Sequence, residues 1–217
     1  FVAVPRLWEK IYSRVAILVG DSTKMQKWAF KKACEAGAKK AALEAEGKAV
    51  PGGLALSYKF WDVAVLKNLR RMLGLDRIRR GGSGAAPISP ELLHWFASIG
   101  VPVLEGYGMT ESSGVITINT IGDNQIGTVG TPVEGAEIRI GDGGEIQYRA
   151  GNVFQGYWNL PEKTAETITE DGWLRTGDVG YMDNQGYLKI TGRMKDIIIT
   201  AGGKNITPAE IENRLKF

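Results

Sequence analysis

The side chains best suited to chemistry lie in the decapeptide EGYGMTESSG, at residues 105–114. Tyr107 offers a flat face for a base, Thr110 a hydroxyl for a phosphate oxygen, and Glu111 a hard oxygen ligand for Mg²⁺. The apolar run at 101–104 predicts a short buried strand just before them. A strand that leads into a glycine-containing loop commonly brings backbone close to a nucleotide, so a nucleotide site is indicated here.

Three further segments strengthen this interpretation when they are taken together. The stretch GGSGAAP at 81–87 has almost no side chain, which lets backbone approach a planar ligand. The tripeptide TGD ends in Asp178, whose two oxygens could accept both hydroxyls of a ribose. Arg193 follows a predicted strand and could hold a ribose or phosphate oxygen through a charge-assisted bond. Taken singly, each has a simpler alternative, namely a plain glycine loop, a turn aspartate and a surface arginine.

Other kinds of chemistry have little support in the sequence. His94 is the only histidine, and its place in ELLHWF indicates a helix-surface or core residue, with no cluster of metal ligands near it. Cys34 is the single cysteine, so it allows no internal disulfide. It lies in a Lys/Ala-rich helical stretch, where an inert thiol is expected rather than a nucleophile. Neither a zinc spacing nor a nucleic-acid module is visible, so no nucleic-acid partner is predicted.

Composition describes an ordinary globular chain with an uneven charge. The 217 residues are 43% apolar and 24% charged, and no apolar run reaches the roughly 18 residues of a membrane span. Residues 1–80 carry 17 Lys and Arg against 7 Asp and Glu, whereas residues 81–217 are acidic overall. The basic first third could meet acidic partners or a membrane surface, and the alternative is a set of solvated helical faces.

The elements that must position these residues follow from periodicity and turn signals. Helices are predicted over 5–18, from the capping residues 21–23 to about 47, over 55–73, and from Ser89 to Gly100. From 126 to 192 the pattern predicts short strands with hairpin turns at 142–144 and 183–186. A capping box at 207–210 predicts one more helix, with only seven residues left to form it.

Four motifs occur in an order that is specific as a set: EGYGMTE, GEIQYRAGNVFQGY, GWLRTGDVGY and GRMKDIIITAGGKNITPAEIE. In this order they resemble the adenylate-forming, or AMP-binding, superfamily, and most of all its long-chain fatty-acyl-CoA synthetase branch. The segments VAVPRLWEKIY and RRGGSGAAPISPELL point to the same branch. The resemblance extends over nearly the whole chain.

The resemblance implies an α/β fold of the adenylate-forming class. Residues 1–125 would form the α/β part of the large AMP-binding domain, with 1–75 mainly helical. Residues 126–192 would form a β-rich, barrel-like subdomain of that domain. Residues 193–217 would be the truncated start of a small α+β C-terminal domain.

The resemblance also implies a two-step ligase reaction. A long-chain fatty acid attacks the α-phosphate of ATP to give acyl-AMP, and the thiol of CoA then displaces AMP, with Mg²⁺ offsetting charge. An enzyme of this kind is expected in the cytoplasm, with peripheral membrane contact through the basic first third. A ligase that loads a carrier-protein pantetheine and a non-catalytic module that binds acyl-adenylate are the alternatives.

Roles carry over from the resemblance position by position. Thr110 and Glu111 would be catalytic, Thr110 on a phosphate oxygen and Glu111 on Mg²⁺. Asp178 would bind the ribose with Arg193 beside it. The other nucleotide and CoA contacts would come from small residues and one aromatic ring: Gly84, Ala85 and Ala86 along the adenine, Tyr107 stacked on it between Gly106 and Gly108, and Gly202 and Gly203 beside the pantetheine channel.

Two segments of the family pattern are not found in these 217 residues. One is the Ser/Thr/Gly-rich phosphate loop that ends in Pro-Lys-Gly, and the other is the late lysine that contacts the acyl carboxylate. We therefore expect an internal fragment that cannot run the adenylation step alone at a normal rate. ATP–pyrophosphate exchange by the 217-residue chain at the rate of a full-length relative would refute this expectation.

Overall fold

A computed structural model describes residues 1–199, 205, 206 and 208. The chain divides into two compact units, one with residues 1–104 and 120–126 and the other with residues 105–119 and 127–217. Helices fill most of the first unit, whereas antiparallel strands are the main regular structure of the second. None of the helices in the described part has the length and apolar content that crossing a membrane requires.

Five α-helices make up the first unit, close to the predicted ranges. Pro5 at the first helical position starts the first of them, because proline there gives up no intrahelical hydrogen bond. The second is started by a capping box, in which Thr23 and Gln26 bond each other's backbone N–H (3.3 and 2.9 Å). The helices are α1 (Pro5–Gly20), α2 (Lys24–Ala45), α3 (Gly52–Trp61), α4 (Lys67–Met72) and α5 (Pro90–Ser98).

The region predicted as a single helix over 55–73 is interrupted. A π-helical turn, Asp62–Leu66, separates α3 from α4, and the backbone N–H of Lys67 bonds to the carbonyl of Asp62. Arg70 spans this break, with its guanidinium 2.8 Å from a carboxylate oxygen of Asp62 and 2.8 Å from the carbonyl of Ile99. The half-buried Trp61, Val65 and Leu69 still pack against one core, because a π turn adds one residue without ending the helix.

The core of the first unit is apolar and contains two fully buried aromatic rings. Trp8 is fully buried and meets Phe96 edge to face, with ring centroids 4.9 Å apart. Its indole N–H donates to the carbonyl of Gly82 (3.2 Å), so the one polar atom of the ring is satisfied. Helices α2 and α5 approach closely because Gly37 has no side chain, and a Cβ there would overlap the carbonyl of Ser98.

The first unit also contains short strands. Strand β1 (Val2–Ala3) pairs in parallel with β2 (Gly81–Ser83), and β2 is followed in the sheet by β3 (Val103–Met109). The first two residues of β3 belong to the first unit and the other five to the second.

Antiparallel strands form the framework of the second unit. After β3 come β4 (Gly114–Ile118) and β5 (Thr131–Pro132), paired in that order. A four-stranded meander follows, and it contains both predicted hairpin turns; Gly143 and Gly144 have positive φ in the first of them. Its strands are β6 (Glu137–Ile140), β7 (Glu145–Arg149), β8 (Leu174–Met182) and β9 (Leu188–Arg193), with helix α6 (Pro161–Thr167) between β7 and β8.

Only a small part of the predicted C-terminal domain is described. Strand β10 (Ile198–Ile199) pairs with β11 (Asn205–Ile206). The helix predicted from the capping box at 207–210 lies outside the described residues, apart from Pro208. The predicted domain boundaries near 125 and 192 stay predictions.

Candidate active site

The tyrosine motif lies in a strand, where a loop was expected. Residues 105–109 continue β3, and the chain leaves the strand only at Thr110. Gly108 allows this arrangement, because a Cβ there would overlap the carbonyl of Gly114 on the neighbouring strand. The pairing of β3 with β4 also shifts register between Tyr107 and Gly108, which is typical of a bulge beside a functional site.

A tight turn presents Thr110 and Glu111. The residues Thr110–Ser112 form one turn of 3₁₀ helix, and the fully buried hydroxyl of Ser112 fixes it. This hydroxyl accepts a hydrogen bond from the backbone N–H of Met109 (3.1 Å) and lies 2.7 Å from the carbonyl oxygen of Gly114. Thr110 is exposed as a result, and Glu111 is half-buried.

Asp178 is the centre of a polar cluster in the second unit. Its side chain is almost fully buried, yet both carboxylate oxygens have donors. The hydroxyl of Tyr107 donates to Oδ2 at 2.6 Å, and the Nε of Arg193 donates to Oδ1 at 3.1 Å. The register of the β8–β9 hairpin places Asp178 directly opposite Arg193. Burial, reinforced by Asp178, raises the pKa of Tyr107, so this tyrosine stays a donor.

Glu111 has a tyrosine partner of its own. The hydroxyl of Tyr157 donates to Oε1 of Glu111 at 2.7 Å, and this bond raises the pKa of Tyr157. The backbone N–H of Phe154 donates to the carbonyl of Glu111 (2.8 Å). Tyr157 lies in a motif that carried the family resemblance, but no role was predicted for it. Its aromatic ring next to Gly156 was the only signal.

The second buried carboxylate, Glu105, was also without a predicted role. It lies on β3 near the start of the motif and accepts a hydrogen bond from the backbone N–H of Gly127 (3.3 Å). Burial raises the pKa of Glu105 to about 7, because this one backbone donor compensates only part of the lost hydration.

The residues around Glu111 fit a metal ion that is bound jointly by the protein and by the phosphates of a nucleotide. Among the residues that the structure describes, no three His, Cys, Asp or Glu side chains are arranged so that they could hold a metal ion by themselves. Glu111 therefore offers one carboxylate ligand to a metal ion. Mg²⁺ is commonly bound by one or two carboxylates, substrate phosphates and water, so this donor set suits Mg²⁺ bound together with ATP.

The predicted adenine segment belongs to the first unit and is described there by itself. Gly84 follows β2, and Ala85 and Ala86 are exposed. Ala85 has φ of 68°, a left-handed conformation that costs a residue with a Cβ about 1 kcal/mol or more. Strain of this kind is common where backbone meets a ligand. Gly202 and Gly203, the predicted pantetheine contacts, lie outside the described residues.

The two residues set aside as inert are located as predicted. His94 is exposed on α5. Cys34 lies on α2, and burial raises the pKa of its thiol to about 11 despite an opposing hydrogen bond with Ser98. A thiol with so high a pKa is neutral at physiological pH and is a poor nucleophile.

Comparison with known proteins identifies the family of the chain. The family of AMP-binding enzymes matches residues 1–158. The long-chain-fatty-acid–CoA ligase FadD15 of Mycobacterium bovis is 39% identical over 99% of the chain, which covers 35% of that relative. The long-chain-fatty-acid–CoA ligase ACSBG2 of Xenopus laevis is 39% identical over the whole chain, which covers 30% of it. The chain thus spans about a third of the length of these relatives.

Solved structures show the same relationship. The O-succinylbenzoate CoA synthetase MenE of Bacillus subtilis, in complex with ATP and magnesium ion, matches 63% of the chain and 31% of its own with a TM-score of 0.58 and 34% identity. ATP-bound MatB of Rhodopseudomonas palustris matches 72% of the chain and 34% of its own, with a TM-score of 0.62 and 37% identity. The predicted fold class is confirmed, and the chain belongs to the AMP-binding enzyme family.

Proposed function

We propose that the full-length protein is an AMP-forming ligase that joins a long-chain fatty acid to CoA. ATP would first convert the acid to acyl-AMP, and CoA would then take the acyl group. The names of the relatives support this substrate pair, because both FadD15 and ACSBG2 are called long-chain-fatty-acid–CoA ligases. They also favour CoA over a carrier-protein pantetheine as the acyl acceptor.

The cluster around Asp178 carries the proposal. A nearly buried carboxylate is costly unless several groups donate to it, and here two side chains do. Each carboxylate oxygen has a second lone pair, so Asp178 can accept the two ribose hydroxyls of ATP as well. Arg193, whose side chain is largely exposed, would lie beside the ribose or a phosphate.

Thr110 and Glu111 would serve the phosphates. The turn between β3 and β4 exposes the hydroxyl of Thr110, which suits it to donate to a phosphate oxygen. Glu111 would hold Mg²⁺, which neutralises phosphate charge when it is bound. The buried hydroxyl of Ser112 would hold the backbone of the turn that carries both residues before ATP arrives.

Adenine and CoA contacts complete the proposed site. The ring of Tyr107 would stack on adenine, and Gly106 and Gly108 would leave room for the ligand beside it. Gly84, Ala85 and Ala86 would lie along the adenine, for which the strained backbone of Ala85 is the main support. Gly202 and Gly203 would border the channel for the pantetheine arm.

The metal assignment is tested by Glu111→Gln in the full-length protein. We expect ATP–pyrophosphate exchange at saturating fatty acid to fall about 100-fold at 1 mM Mg²⁺, a cost of ~3 kcal/mol for one charged ligand. Glu134→Gln, the same change at an exposed position of the second unit, is the control and should leave exchange unchanged. An unaltered rate in the Glu111 variant would remove the assignment.

We further propose a cytoplasmic enzyme with peripheral membrane contact through the basic first third. Helix α2 supports this, because Met25 and Trp28 are largely exposed next to Lys24 and Lys27. Binding to vesicles should then increase with anionic lipid content and weaken with salt. Binding that is indifferent to both would rule the contact out.

A further inference from the structure

The segment 152–157 donates three hydrogen bonds to the turn that carries Glu111. The side-chain amide of Asn152 donates to the carbonyl of Ser112 (2.8 Å), and the backbone N–H of Phe154 donates to the carbonyl of Glu111 (2.8 Å). The hydroxyl of Tyr157 donates to Oε1 of the Glu111 carboxylate (2.7 Å). Two of these bonds fix the backbone of the turn, and only the third acts on the carboxylate itself.

Tyr157 is itself held in place by neighbouring residues. Its backbone N–H donates to the side-chain oxygen of Thr164 on α6 (2.9 Å), and that hydroxyl bonds in turn to the carbonyl of Leu160 (3.0 Å). The ring also packs edge to face on Phe154, with centroids 4.9 Å apart. A donor supported in this way can hold its acceptor in one orientation.

The bond uses only one of the two oxygens of Glu111. Within residues 1–199, 205, 206 and 208, Oε2 of Glu111 has no hydrogen bond or ion pair. A glutamate side chain otherwise moves among several rotamers, and fixing it on binding a metal costs free energy. A carboxylate that is already held by one oxygen avoids most of that cost while it keeps an oxygen for a ligand.

We propose that Tyr157 is a positioning residue, which orients the Glu111 carboxylate for the Mg²⁺ that accompanies ATP. The inference rests on the proposed function of Glu111 and adds the residue that prepares it. Tyr157 touches neither nucleotide nor metal in this account and acts through its hydroxyl alone. Phenylalanine at position 157 should therefore keep the packing and lose the effect.

The test measures metal binding directly in the full-length protein. Mn²⁺ is titrated as a paramagnetic substitute for Mg²⁺, with a non-hydrolysable ATP analogue present, and bound Mn²⁺ is followed by electron paramagnetic resonance. Tyr157→Phe should weaken Mn²⁺ binding about tenfold, the lower end of the usual effect of losing an outer partner of a metal ligand. Tyr181→Phe, which removes an exposed hydroxyl from β8, should change nothing.

A double-mutant cycle separates positioning from a merely structural role. If Tyr157 acts through Glu111, then Tyr157→Phe should have no further effect on Mn²⁺ affinity in a Glu111→Gln background. Equal losses in both backgrounds would overturn the proposal, and so would an unchanged affinity in the single variant. Should Tyr157→Phe fail to fold, Thr164→Val, which removes the hydroxyl that anchors the backbone of Tyr157 and leaves Glu111 unchanged, is compared in the same two backgrounds.

Failure of the proposed function looks different from failure of this inference. If Glu111 does not bind the metal, Glu111→Gln itself will leave Mn²⁺ affinity unchanged, and both ideas fall together. If Glu111→Gln weakens Mn²⁺ binding and Tyr157→Phe does not, the metal assignment stands and only the role of Tyr157 is wrong.

Discussion

The two units differ in the kind of polar side chain that they bury. Among the described residues, the polar side chains buried in the first unit are all serines: Ser83, Ser89 and Ser98. The second unit buries two carboxylates, Glu105 and Asp178, together with several neutral polar side chains. Burying a charge is far more costly than burying a hydroxyl.

This difference indicates which unit is shaped by stability and which by chemistry. The first unit is stabilised by an apolar core, whereas the second buries carboxylates, which a purely structural sheet does not need. The two carboxylates also differ from each other. Asp178 receives side-chain bonds on both oxygens, while Glu105 has a single backbone donor and a raised pKa.

The largest expected effect is a loss of stability when the core of the first unit is changed. Phe96 is fully buried on α5 and stacks edge to face on two tryptophans. Phe96→Ala should lower the free energy of unfolding by about 3–5 kcal/mol, because it removes aromatic packing and leaves a cavity. Equilibrium unfolding in urea measures the change. A loss below about 1 kcal/mol would mean that this core does not determine stability, and the contrast between the units would fail.

A smaller effect, in the second unit, depends on pH. The folded protein holds the proton of Glu105 up to a pKa of about 7, whereas its ordinary value is 4.5. The folded state therefore binds more protons between these values, and this contribution to stability is complete below about pH 4.5 and lost as pH rises to 7. Glu105→Gln, which cannot ionise but can still accept from Gly127, should abolish the loss, of order 3 kcal/mol at pH 8.

Unfolding curves at pH 5 and pH 8 provide the check. Wild type and the Glu105→Gln variant should have similar free energies of unfolding at pH 5, and the variant should be the more stable of the two at pH 8. If the variant is less stable at both values, the carboxylate is ionised and satisfied in the fold, and the distinction between Glu105 and Asp178 disappears.

Local signals in the sequence accounted for much of the fold. Caps such as Thr23 and breakers such as Pro5 act within a few residues, so they set the helix starts correctly. The π turn at 62–66 was not predicted, because the apolar spacing is nearly the same for a helix with one inserted residue. The strand at 105–109 was taken for a loop, since glycines signal turns unless a close neighbouring strand requires them.

Contacts within the candidate site could be predicted where they follow from the pairing of two adjacent strands. Asp178 and Arg193 face each other across one hairpin, so an expected turn at 183–186 nearly implies their contact. Tyr107 is 71 residues from Asp178, and Tyr157 is 46 residues from Glu111, so both contacts depend on tertiary packing. No local rule in the sequence specifies such pairs.

The proposed contact between Asp178 and the ribose of ATP defines the nucleotide site. It is tested most directly by the ratio of kcat/KM for ATP to that for 2′,3′-dideoxy-ATP, measured by pyrophosphate exchange in wild type, Asp178→Asn and the exposed control Asp171→Asn. Wild type and the control should prefer ATP by ~30-fold, about 2 kcal/mol for bonds to a charged acceptor. The Asp178 variant should lose most of that preference. The same preference in all three proteins would contradict the account.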